Sequence, residues 1–68
     1  MTLNKPITVL LVDDSPLVLS ILKRVIINDQ RLRLLGTATS GDEALQLIEA
    51  ERPDVVSTDY HMPGMNGL

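Results

Sequence analysis

Residues 8–16 read TVLLVDDSP. Thr8 to Val12 is short, rich in β-branched residues and apolar at consecutive positions, so it reads as a strand covered on both faces. Two acids, Asp13 and Asp14, end the run. Ser15 then offers a side-chain oxygen to the free N–H groups of a helix's first turn, and Pro16 suits the first helical position, where its missing N–H costs nothing. A buried strand that runs through an acidic loop into a capped helix is the unit from which α/β sheets are built.

Working outward, the stretch PLVLSILKRVII continues as that helix. Val18, Ile21, Leu22 and Val25 recur at helical spacing and form the expected buried stripe. Leu17, Leu19 and Ile27 fall outside it, and Asn28-Asp29 terminates the helix. Leu32 to Thr39, LRLLGTAT, reads as a second strand weakened by Gly36. Ser40 followed three residues later by Glu43 is a capping box. The helix it opens carries Ala44, Leu45, Leu47 and Ile48 on its apolar side and ends before Pro53. Asp54 to Thr58, DVVST, is the third strand.

The order is therefore β-α-β-α-β, with parallel pairing and right-handed crossovers. The expected strand order is 2-1-3, with the first strand central and one helix on each face.

Composition narrows the function classes. The chain has 68 residues, no cysteine, one Tyr, and neither Phe nor Trp. Disulfides and thiolate metal sites are excluded, and the core must come from Val, Leu, Ile and Ala. Net charge is −3, from six basic and nine acidic residues. The basic residues are scattered, so no nucleic-acid footprint is present. No apolar run reaches the length of a membrane span, and the N-terminus lacks signal-peptide features. A cytoplasmic location is the default expectation.

The carboxylates carry the chemistry. Asp13 and Asp59 each directly follow an apolar strand. In order 2-1-3 the first and third strands are neighbours, and the crevice beyond their carboxyl ends is where such sheets bind ligands. Asp14 joins from the adjoining loop. Three crowded acids repel, and a hard divalent cation such as Mg²⁺, which prefers oxygen ligands, relieves that repulsion. Carboxylates with Mg²⁺ suit phosphoryl transfer, with one Asp as the nucleophile. Plainer readings stand beside this one. Asp13-Asp14 also fits an acid pair favoured by a helix dipole, and Asp59 fits a turn residue before Pro63 and Gly64. His61 fits an exposed loop side chain as well as a ligand or proton shuttle.

Three segments, VLLVDDSP, GTATSGDEAL and PDVVSTDYHMPGMNGL, occur in this order and span nearly all of the chain from Thr8. Together they resemble the receiver domain of bacterial two-component response regulators, and are similar to chemotaxis-type and methylesterase-type receivers. The resemblance implies a flavodoxin-like doubly wound sheet, of which this chain holds the first three strands and two helices. It implies that Asp59 is the phosphoacceptor, served by a histidine kinase. It implies Mg²⁺ held by Asp13, Asp14 and Asp59 and by the backbone carbonyl of His61. The family's switch hydroxyl (Ser or Thr) and its Lys come from the fourth and fifth strands. Residues 1–68 thus read as a truncated receiver lacking those strands and the last three helices.

Two further readings accompany the signalling one. A third strand left as an apolar edge seeks another strand, which predicts a homodimer or assembly module. An aspartate-nucleophile phosphatase also places an Asp at a strand end, but the D-x-D arrangement of that class is absent from DYH.

Overall fold

The computed structural model describes residues 5–58. In chain order these form β1 (Ile7–Val12), α1 (Pro16–Ile27), β2 (Leu32–Ala38), α2 (Gly41–Glu51) and β3 (Val55–Thr58). The strands make one parallel sheet in the order β2-β1-β3, as expected from the alternation of strands and helices.

β1 is central because both of its faces are apolar. Val9, Leu10, Leu11 and Val12 are each no more than 4% exposed. Alternate side chains point to opposite faces of a strand. Val9 and Leu11 pack with Leu19 of α1, while Leu10 and Val12 pack with Ala38 and with Ala44 of α2. Each fully buried Leu contributes about 1.5–3 kcal/mol over an exposed one.

β2 serves both layers through an irregularity in its pairing. Val9 lies opposite Leu34, but Leu10 lies opposite Gly36, so Leu35 is an extra residue without a partner in β1. Before this bulge, Leu32 and Leu34 pack into the α1 layer; after it, Ala38 belongs to the α2 layer. The extra residue inverts the alternation. A Cβ at Gly36 would stand 3.7 Å from a Leu47 methyl of α2, in line with the same switch of face.

α1 starts as the sequence predicts: the Ser15 hydroxyl accepts from the Val18 N–H at 3.3 Å, and Pro16 opens the helix. Its rotation differs from the prediction. Leu19 is the buried residue, at 6% exposure, with Leu22 and Ile26 packed beside it. Val18, Ile21 and Val25 of the expected stripe are 37%, 57% and 61% exposed. Apolar residues cover more than one face of this helix, and two stripes are equally periodic. The three-residue connection from Val12 to Pro16 fixes which one meets the sheet. Leu17 and Ile27 are exposed, as expected.

In the turn before β2, the Arg31 guanidinium and backbone N–H both donate to the Asp29 carboxylate. α2 is capped by Ser40, whose hydroxyl accepts from the Glu43 N–H at 3.2 Å. The reciprocal bond of the expected capping box falls one residue earlier, with Glu43 accepting from the Thr39 N–H at 2.7 Å. Leu45, expected on the apolar side, is exposed. The helix ends on Arg52, which adopts the left-handed region at φ 50° and donates its N–H to the Ile48 carbonyl. β2 and β3 are each one residue shorter than expected, since Thr39 and Asp54 lie just outside the ladders.

Candidate functional site

β1 and β3 run side by side in the same direction, and their last residues, Val12 and Thr58, are opposite each other. In the sequence each is followed by an acid, Asp13 and Asp59. Asp13 extends the ladder one step, its N–H donating to the Ala38 carbonyl at 3.0 Å. Its half-buried carboxylate turns back on the loop, Oδ1 accepting from the Ser15 N–H at 2.9 Å. Asp14 is exposed, and no described residue bonds its carboxylate. Both acids precede the cap, and the first turn of α1 contains no acid. Asp59 and His61 lie outside the described residues.

The donor set of the described part suits a hard cation. Two adjacent carboxylates offer oxygen alone, and neither is engaged by Lys or Arg. Among the described residues no three acidic or imidazole groups come together, so Asp13 and Asp14 are the described share of the expected pocket.

At the opposite end of the same strand pair lies a contact that reading the sequence missed. Asp54 Oδ2 accepts from the Thr8 N–H and from the Thr8 hydroxyl, both at 2.9 Å. In return the Asp54 N–H donates to Thr8 Oγ1 at 2.9 Å and to the Thr8 carbonyl at 3.1 Å. The Thr8 N–H, and after it the hydroxyl, holds the Asp54 carboxyl below its ordinary range. The signal was an Asp opening one strand and a hydroxyl opening another. Only the strand order pairs them.

The sequence model of the response regulator receiver domain matches residues 9–68. The chain belongs to that family. It is 42% identical over 66 residues to a protein-glutamate methylesterase/protein-glutamine glutaminase of Paramagnetospirillum magneticum, covering 97% of this chain and 19% of the relative. It is 51% identical over 63 residues to the corresponding Pseudomonas aeruginosa protein, covering 93% of this chain and 18% of that one. Among solved structures, the signal receiver domain of NarL from Mycobacterium tuberculosis superimposes with a TM-score of 0.85 at 38% identity. The response regulator domain of Thermotoga maritima CheB gives 0.84 at 36%. Each superposition covers 93% of this receiver chain, but 51% of the NarL chain and 47% of the CheB chain. The receiver therefore spans under a fifth of the methylesterases and about half of the solved receiver chains. Its flavodoxin-like architecture is the one expected. No helix among the described residues is long and apolar enough to cross a membrane.

Proposed function

We propose that this receiver is a phosphoacceptor module of a two-component phosphorelay, with Asp59 as the residue that is phosphorylated. The observation that carries the reading is the Val12–Thr58 pair, because the residue after each member in the sequence is an acid. A carboxylate oxygen of Asp59 attacks the phosphorus of a phosphohistidine on a histidine kinase. The P–N bond breaks, the imidazole nitrogen leaves with the bonding electrons, and an aspartyl phosphate forms. Asp13, Asp14 and Asp59, with the backbone carbonyl of His61, are the ligands for Mg²⁺. When bound, Mg²⁺ supplies charge neutralisation at the phosphoryl oxygens. The bond from the Ser15 N–H orients Asp13 and leaves its second oxygen for the cation or for bound water.

Residues 1–68 supply the acidic part of such a site. The switch hydroxyl and the Lys of the family belong to its fourth and fifth strands. We assign the chain a signalling role, in the cytoplasm. The test is Mg²⁺-dependent labelling from a small-molecule phosphodonor. The expected result is labelling that is lost in Asp59→Asn, and labelling that persists in that variant overturns the assignment.

A second reading, homodimerisation through the third-strand edge, is favoured by one observation. α1 lies over β1 and β2 and makes no close approach to β3. Val55 pairs with Val9, which puts it on the α1 side of the sheet, and it is 47% exposed there. Val18, Ile21 and Val25 add apolar surface on α1. A second copy that pairs β3 with β3 covers part of this surface and completes the ladder.

A further inference from the structure

Among the described residues, the third strand of the receiver makes few contacts that fix its register. β3 is four residues long, and only Val56 packs against the core. That core is the layer of Leu10, Val12 and Ala38 with Ala44 of α2. Register in a sheet is set mainly by burial of one face, so a short strand with one residue in the described core gains from a contact that marks its register. A slip of one residue moves the end of the strand by about 3.3 Å and reverses its faces.

We propose that Thr8 and Asp54 are positioning residues that lock β3 in register against β1 and thereby set the level at which the chain passes from Thr58 into Asp59. The proposal rests on the phosphoacceptor reading of Asp59 and deepens it. The two residues are 46 apart in sequence, and their backbone and side-chain groups bond reciprocally. The contact sits at the end of the strand pair remote from the acids, so it acts on Asp59 only through the alignment of β3.

The lock fits one register only. In β1, ITVLLV, Thr8 is the sole residue with a side chain that forms hydrogen bonds. A slip of β3 by one residue in one direction brings Val55 to Thr8, and Val55 has no carboxylate. A slip in the other direction brings Pro53, which lacks both the carboxylate and the N–H that Asp54 donates. The tripeptide Pro53-Asp54-Val55 therefore marks a single position along β1. Removing one partner leaves the other's bonds unmade, and bonds to a charged acceptor are among the stronger ones.

The experiment compares the wild-type chain with Thr8→Val, which keeps the shape and loses the hydroxyl, and with Asp54→Ala. Thr8→Ser restores the hydroxyl, and Asp54→Asn is a milder variant should Asp54→Ala unfold. Cross-strand NOEs and amide exchange report the β1–β3 pairing, with the β1–β2 pairing as internal control. The rate of labelling of Asp59 by a small phosphodonor reports its position. In Thr8→Val and Asp54→Ala, β3 amides bonded to β1 are expected to exchange at least about tenfold faster. The β1–β2 pairing stays unchanged, the labelling rate at saturating donor falls, and Thr8→Ser recovers both. β3 protection and register that are unchanged in Thr8→Val and Asp54→Ala overturn the lock. A loosened β3 with an unchanged labelling rate overturns the positioning role. A wild-type chain that never labels at Asp59 overturns the phosphoacceptor reading and the positioning role with it, whereas the register result is still decided by the NOEs.

Discussion

Val12 and Thr58 are direct partners in the parallel ladder between β1 and β3, although 46 residues separate them in the chain. Each is the last residue of its strand, and each precedes an aspartate in the sequence. This relationship turns two unremarkable strand-end acids into a candidate site, and the first prediction concerns that site.

Asp14→Asn removes one attractive charge from the pocket proposed for Mg²⁺. A charge pair a few ångström apart near a protein surface is worth on the order of 1–4 kcal/mol. The expected outcome is Mg²⁺ affinity at least about tenfold weaker, with the fold intact. Isothermal titration checks the affinity and far-ultraviolet circular dichroism checks the fold. Chelation of Mg²⁺ is expected to stop labelling of Asp59 in the wild-type chain.

The rotation of α1 is tested by a pair of substitutions. Leu19 touches the sheet, so Leu19→Ala is expected to cost about 2–5 kcal/mol, which is most of what a domain of this size has. Ile21 is 57% exposed. Ile21→Ala is expected to change stability by under about 1 kcal/mol. Urea denaturation of both variants separates this rotation from the one the Val18, Ile21, Leu22, Val25 spacing suggests.

Arg52 ends α2 with positive φ, a conformation that crowds a Cβ against the backbone. Arg52→Gly removes that crowding while keeping the N–H bonded to Ile48. Stability is expected to rise by up to about 1 kcal/mol, read as a higher urea midpoint.

Acid is expected to weaken the fold through two paired carboxylates. The Asp29 carboxyl is held at about 2, against an ordinary value of 3.8, first by the Arg31 guanidinium and then by the Arg31 N–H. Asp54 is held low by Thr8. A carboxyl with a depressed folded value binds fewer protons folded than unfolded, so its contribution is full above the unfolded value and is lost as pH falls through the folded one. The urea midpoint is expected to fall as pH drops from about 4 towards 2. In Asp29→Asn that fall is shallower.

Self-association, if it follows the second reading, depends on the apolar surface on the α1 side of β3. Val55→Lys is expected to shift sedimentation at micromolar protein from dimer towards monomer without changing Mg²⁺ affinity. A wild-type chain that sediments as a compact monomer removes that reading.

Much of the receiver was legible without coordinates because its information is local. TVLLV followed by acids, Ser15 and Pro16 marks a buried strand entering a capped helix, and the alternation of strands and helices implies a parallel sheet with the first strand inside. Neighbours within a few residues determine those features. The face that α1 buries was not legible, since the Leu19, Leu22, Ile26 stripe and the Val18, Ile21, Leu22, Val25 stripe are both helical. Nor was the bulge at Leu35, which sends one half of β2 to each layer; counting residues by twos hides it. The pairing of Thr8 with Asp54 was invisible for the same physical reason. It joins groups 46 residues apart, and only the docking of β3 beside β1 makes them neighbours. Local hydrogen bonding and hydrophobic periodicity thus wrote the elements and the family into the chain, while helix rotation, strand register and the pairing of Asp54 with Thr8 were decided by packing between distant segments.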